Sequence, residues 1–150
     1  MAEQTFKYIV RIAGTDIKGD LKLPYGLAEI KGIGLTTAYA IVRMLGLDPE
    51  MRVGFLSEAD IRRIEEAVRD IRKLGLPAWL YNRRKDYETG EDKHLIGPDL
   101  LFHARRDIER EIKINSWRGL RHKLGLKVRG QRTRTTGRTG MTVGVSKKKK

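Results

Sequence analysis

The first apolar signal along the chain has period two. Phe6, Tyr8, Val10 and Ile12 alternate with Lys7, Ile9 and Arg11, the pattern of a short strand with one buried face, and Gly14 opens a loop after it. The period becomes helical across LAEIKGIGLTTAYAIVRMLGL, Leu27 to Leu47. That spacing predicts a helix-hairpin-helix: a short helix carrying Leu27 and Ile30, a tight turn at Gly32-Ile33-Gly34, and a second helix packing Ala38, Ile41, Val42 and Leu45. Gly46 is placed to end the second helix in the left-handed conformation, and Pro49 prevents its continuation. Ser57 starts the next helix, with Asp60 three residues on as a variant capping box and Leu56 with Ile61 as a hydrophobic staple. Ile61, Ile64, Val68, Ile71 and Leu74 recur at helical spacing and predict its core face, which Gly75 and Pro77 close. Its outer face carries Glu58, Glu65 and Glu66 early and Arg69, Arg72 and Lys73 late, the order a helix dipole favours.

Residues 76–98 sustain no period and read as a long ordered insertion. In it Trp79, Tyr81 and Tyr87 flank Arg83, Arg84 and Lys85, a mixture that can stack on bases. Equally, Trp79 and Leu80 can pin the loop to the body. Gly97-Pro98-Asp99 introduces another helix, because proline is tolerated in a first turn and aspartate suits its positive end. Leu101, Ala104, Ile108 and Ile112 give that helix a narrow apolar stripe, and a brief amphipathic segment from Trp117 to Leu126 follows it. The expected fold is therefore mainly α. A helix-two-turns-helix (helix-hairpin-helix-like) body with a short N-terminal strand fills residues 1–75, the insertion 76–98, a C-terminal helix pair 99–125, and an extended basic tail 126–150.

Charge changes the picture most at the end of the chain. From Ile112 to Lys150 there is no acidic residue and thirteen basic ones, so the whole net charge of +13 sits there while residues 1–111 are neutral in sum. The run RGLRHKLGLKVRGQRTRTTGRTG, Arg118 to Gly140, interleaves arginine with glycine and threonine and has no periodic apolar face after Val128. Such a stretch buries too little to order itself and needs a polyanion to fold against. Phosphate backbone meets that need, since each phosphate neutralised releases condensed counterions.

The hairpin turn offers a second phosphate site. Two glycines allow close backbone approach and leave amides at a helix N-terminus pointing outward, where the positive end of the dipole favours an anion. Lys31, Gly32, Ile33, Gly34, Thr36 and Thr37 are its candidate contacts. A helical hairpin needing glycine only for steric reasons is the simpler alternative. At 150 residues the chain suits one small domain with extensions. With no cysteine and three scattered histidines, no metal, cofactor or thiol chemistry is expected. No leader and no apolar run of membrane length is visible, which predicts a cytoplasmic protein with no membrane partner. Two asparagines and two glutamines beside 34% charged residues are a heat-adapted composition.

At WRGLRHKLGLKVRGQRTRTTGRTG, residues 117–140, the chain closely resembles the C-terminal signature of the small-subunit ribosomal protein thirteen family. The hairpin, the helix from Ser57 and the helix from Asp99 follow in that family's order, and PAWLYNRRKD with the ending VGVSKKKK is similar to its archaeal and eukaryotic branch. The resemblance implies a non-catalytic protein of the small-subunit head. It implies 16S-type rRNA, P-site tRNA, small-subunit ribosomal protein nineteen and, across an intersubunit bridge, large-subunit ribosomal protein five as partners. Carried over by position, Gly32, Ile33 and Gly34 would meet rRNA, as would Arg118, Arg121, His122, Arg129, Gln131, Arg132 and Arg134, while Arg83, Arg84, Lys85, Lys123, Lys127 and Arg138 are candidate rRNA contacts by their charge. Lys147, Lys148, Lys149 and Lys150 would lie nearest tRNA. The rival reading is a helix-hairpin-helix DNA-binding or DNA-repair protein, whose catalytic aspartate motif Gly97-Pro98-Asp99 mimics in part. That tripeptide stands far past the hairpin, however, and a helix start explains it as well.

Overall fold

The structure is a computed structural model that describes residues 6–136. The chain forms two compact units, Met1–Phe102 and His103–Lys150. In the first, β1 (Ile9–Ile12) pairs antiparallel with β2 (Thr15–Lys18), with Val10 opposite Ile17 and Ile12 opposite Thr15. Ala13 (φ 48°) and Gly14 (φ 77°) make the two-residue turn; positive φ at both positions matches the right-handed twist of the strands. The Ala13 N–H donates to Glu65 Oε1 at 3.2 Å, tying the hairpin tip to the helix that carries Glu65. Val10 and Ile12 are buried as their alternation predicts, whereas Tyr8 lies outside the strand and is exposed. Hydropathy does not predict the pairing strand β2, because a single buried residue, Ile17, carries its pattern.

α1 (Leu23–Leu27) starts earlier than expected, with Pro24 in its first turn. Leu27 ends this helix, and Ile30 follows it in a turn where the Ile33 N–H donates to the Ile30 carbonyl at 3.0 Å. α2 (Leu35–Met44) packs on α1 and buries Ala38, Ile41 and Val42 in the core. It ends as Gly46 predicts: Gly46 has φ 68°, its N–H reaches the Arg43 carbonyl at 3.1 Å, and the Leu47 N–H reaches the Val42 carbonyl at 3.1 Å. α3 (Glu58–Arg69) is capped by Ser57, whose Oγ accepts from the Asp60 N–H at 3.1 Å and donates to Asp60 Oδ2 at 2.6 Å. The carboxylate thus returns to the capping hydroxyl instead of the backbone, a variant of the box. The apolar period predicts one helix to Leu74, but Asp70 leaves the helical region (φ −134°, ψ 80°) and Ile71–Leu74 form a 3-10 turn that keeps Ile71 buried.

α4 (Gly97–Lys113) buries no residue, and α5 (Trp117–Lys123) follows it after a sharp turn. Asn115 stands at φ 53°; its N–H donates to the Ile112 carbonyl at 3.0 Å and the Ser116 N–H to the Glu111 carbonyl at 3.3 Å, so the same cap that ends α2 ends α4. Ser116 then starts α5, accepting from the Gly119 N–H at 2.9 Å and donating to the Glu111 carboxylate at 2.6 Å. α5 crosses the last turn of α4 at backbone contact. A Cβ on Gly119 would overlap the Glu111 carbonyl and lie 2.7 Å from the Ile112 nitrogen. Residues 127–136 form no helix or strand, and most of their side chains are exposed.

Candidate nucleic-acid interface

The glycines of the hairpin turn serve different ends. Gly32 has φ 102°, and a Cβ there would strike the Leu95 carbonyl and lie 3.1 Å from the Ile96 Cα, so folding alone requires glycine. Gly34 has φ −95° and ψ 171°, a conformation open to any residue, and a Cβ there would meet nothing within 4 Å. Between them Ile33 is 4% exposed and anchors the turn in the core; its side chain is therefore no surface contact. No side chain caps α2 and no acidic residue stands in its first turn, so the helix places no negative charge of its own at its N-terminal amides. Lys31, Gly34 and Thr36 are exposed around it. Thr37, expected as a hydroxyl donor, is 7% exposed and belongs to the interior.

The insertion is a small knot tied on Asp86. Arg83 and Lys93 exchange backbone hydrogen bonds of 3.1 and 2.8 Å, and the buried Asp86 carboxylate accepts from Arg83 Nε at 2.5 Å, Thr89 Oγ1 at 3.1 Å and Lys93 Nζ at 3.2 Å. Arg83 is thereby turned inward with its guanidinium on Asp86, not offered to a ligand as the sequence suggests; Arg84 and Lys85 are exposed. Trp79, offered by the sequence with Leu80 as an anchor for the loop, is mostly exposed. Tyr81 does that work, donating its hydroxyl to the Leu76 carbonyl at 3.0 Å, while Asn82 pairs with both backbone groups of Leu95 at 2.9 and 2.7 Å.

Hydrogen bonding from Arg83, helped by Lys93 and Thr89 and opposed by burial, holds the Asp86 carboxyl below the usual carboxylate range. Because the folded value lies below the unfolded one of about 3.9, this contribution to stability is present above that pH and is lost only as pH falls through the folded value. Amide-exchange protection at Gly90 and Lys93 should therefore persist on acidification through pH 4. Opening of the loop at pH 4, with the core still folded, would contradict this account.

In the second unit Arg118, His122 and Arg129 line a cleft of about 460 Å³ with Ile108, Val128 and the acidic Asp107 and Glu111. Arg121 donates from Nε to the Lys127 carbonyl at 2.5 Å, and its guanidinium lies 5.6 Å from the Trp117 ring centroid, a cation–π distance. Lys123, Lys127, Gln131, Arg132 and Arg134 are exposed. Arg138 and Lys147 to Lys150 lie outside the described residues. Among the described residues no acidic or histidine cluster could hold a metal, and no helix is long and apolar enough to cross a membrane.

Sequence reasoning passes over His94. Its Nε2 lies 3.0 Å from the Gly32 carbonyl, and at a sequence separation of 62 no spacing rule connects the two.

Residues 11–139 match the family described as ribosomal protein S13/S18. The chain is 76% identical to the small ribosomal subunit protein uS13 of Aeropyrum pernix over 98% of both chains. It is 63% identical to uS13 of Hyperthermus butylicus, over 100% of this chain and 99% of that one. With uS13 of Staphylothermus marinus the identity is 62%, over 98% and 97%.

Proposed function

Since the chain belongs to the ribosomal protein S13/S18 family, in the form found in archaea, and that family is not one of enzymes, we propose that it is a structural rRNA-binding protein of the small-subunit head. The observation that carries this reading is the segregation of charge: all thirteen cations in excess follow Glu111, and among the described residues after it Gly119 alone is buried. The uncapped start of α2 at Gly34 adds a backbone site for phosphate on the first unit. Arg84, Lys85, Arg118, Arg129, Arg132 and Arg134 supply further cationic contacts, His122 adds a hydrogen-bonding one, and the terminal lysines reach P-site tRNA. The protein works in the cytoplasmic ribosome, beside small-subunit ribosomal protein nineteen and bridging to large-subunit ribosomal protein five. The DNA-repair alternative loses its support, because Pro98 and Asp99 are first-turn residues of α4.

The two hairpin glycines provide the test. Gly34→Val should fold with little loss of stability, as valine favours extended backbone and has open space there though it is a poorer N-cap than glycine, yet bind rRNA roughly tenfold more weakly. That corresponds to about 1.4 kcal/mol, close to the lower end of what one charge-assisted hydrogen bond contributes. Gly32→Val should instead lower stability. Native-strength binding by folded Gly34→Val would return the turn to a purely steric role.

A further inference from the structure

We propose that His94 is a positioning residue for rRNA binding: the insertion uses it to brace the Gly32–Gly34 turn in its binding conformation. This inference rests on the reading of that turn as a phosphate contact.

The brace runs along the whole turn. A carbonyl only accepts, so the imidazole must carry its proton on Nε2 and donate it to the Gly32 oxygen at 3.0 Å. The N–H on the other side of that peptide group, from Ile33, donates to the Ile30 carbonyl at 3.0 Å. The Gly32–Ile33 peptide plane is thus clamped at both ends. The preceding peptide is held as well, because the Gly97 N–H donates to the Lys31 carbonyl at 2.7 Å. Leu95 and Ile96 press on the face of Gly32 where a side chain would stand, which fits the unusual φ of 102°. These planes set the direction in which the chain enters Gly34 and α2, and so where the open amides of that helix point.

His94 is itself held from behind. Asn82 fixes the neighbouring Leu95 through two hydrogen bonds, the Tyr81 ring meets the imidazole edge-on at 6.3 Å, and Asp86 ties the loop that carries them. The other ring nitrogen, Nδ1, is buried without a partner, and burial pushes the imidazole below its ordinary value. A neutral ring facing a carbonyl brings no charge to phosphate. Its contribution is preorganisation: a turn already in its bound shape loses less conformational freedom on binding.

The test uses the full-length protein and small-subunit rRNA, with affinity measured across a salt series. His94→Leu removes the donor, and His94→Gln returns an amide N–H near the place of Nε2. His94→Asn is also polar but one carbon shorter, so it keeps the comparison usable if the leucine variant does not fold. Leucine and asparagine variants should bind about five- to tenfold more weakly, glutamine within about twofold of native, and all with an unchanged slope of log K against log salt, because no cation has been removed. The proposal is overturned by native affinity in the folded leucine and asparagine variants. It is overturned too by a shallower slope, which would make His94 a phosphate contact, or by a glutamine variant as weak as leucine. Normal binding by Gly34→Val would instead remove the turn from the interface altogether, so the failure of that reading and the failure of the brace are told apart.

Discussion

Gly119→Ala is expected to detach α5 from α4 and abolish incorporation of the protein into the small subunit. The atoms that the new methyl group meets are the Glu111 carbonyl and the Ile112 nitrogen, both backbone and unable to swing aside as a side chain would. Overpacking of this kind costs about 1–3 kcal/mol or more. Displacing α5 also breaks the Ser116 cap, about 1 kcal/mol further. The local margin is small, since α4 buries no residue and Gly119 is the residue of α5 that is buried. Gly125→Ala is the comparison: its φ of 66° is strained for alanine by about 1–2 kcal/mol, but its Cβ would meet nothing within 4 Å. Hydrogen exchange over residues 117–123 should show α5 open in Gly119→Ala and merely frayed at its end in Gly125→Ala. Equal protection in both variants would mean that the crossing tolerates a side chain.

Deleting residues 126–150 should cost the most in rRNA affinity, because nine of the thirteen cations after Glu111 go with them. The slope of log K against log salt should flatten by several units, at roughly 0.7–0.9 for each phosphate that is no longer neutralised. Deleting Lys147 to Lys150 alone should leave incorporation intact and weaken P-site tRNA retention slightly, most visibly at low salt where screening is least. The difference lies in the cation. Between residues 118 and 138 the chain uses six arginines and two lysines, then only lysine at its end. Guanidinium grips phosphate through a planar fork of donors, whereas ammonium is a hydrated point charge on a flexible stem. An unchanged slope after the longer deletion would remove the tail from the interface, and incorporation lost with the four lysines would reverse this division of labour.

What can be read in advance is whatever local spacing decides. Gly46, Ser57 and the apolar positions of α2 and α3 behave as their periodicity and end signals predict. The misreadings arise where distant contacts choose between local options. Gly32 and Gly34 look alike in a Gly-Ile-Gly triplet, and only the passage of Leu95 over Gly32 separates the glycine that folding needs from the one that it does not. Arg83 and Arg84 are neighbours of one chemistry, yet a buried carboxylate three residues on draws Arg83 inward. Asp70 ends α3 within an unbroken apolar period, and I-R-K-L reads equally well as α-helix or as the 3-10 turn it forms. The glycine of WRGL belongs to a signature legible as a whole, but its reason, a crossing of two backbones, is visible only in three dimensions.

The Asn82–Leu95 pairing also bears on how long a molecule can serve. The chain has only two asparagines, and each has a structural task, Asn115 in the left-handed cap of α4 and Asn82 as a side-chain rung beside Leu95. Asparagine is among the residues that heat degrades, by hydrolysis of its amide. At Asn82 that reaction would exchange the donor nitrogen, 2.7 Å from the Leu95 carbonyl, for a carboxylate oxygen, setting two acceptors face to face. A protein that escapes proteolysis and unfolding would still carry a clock at this position. Its chemical ageing would loosen the rung that steadies His94 without altering any surface cation.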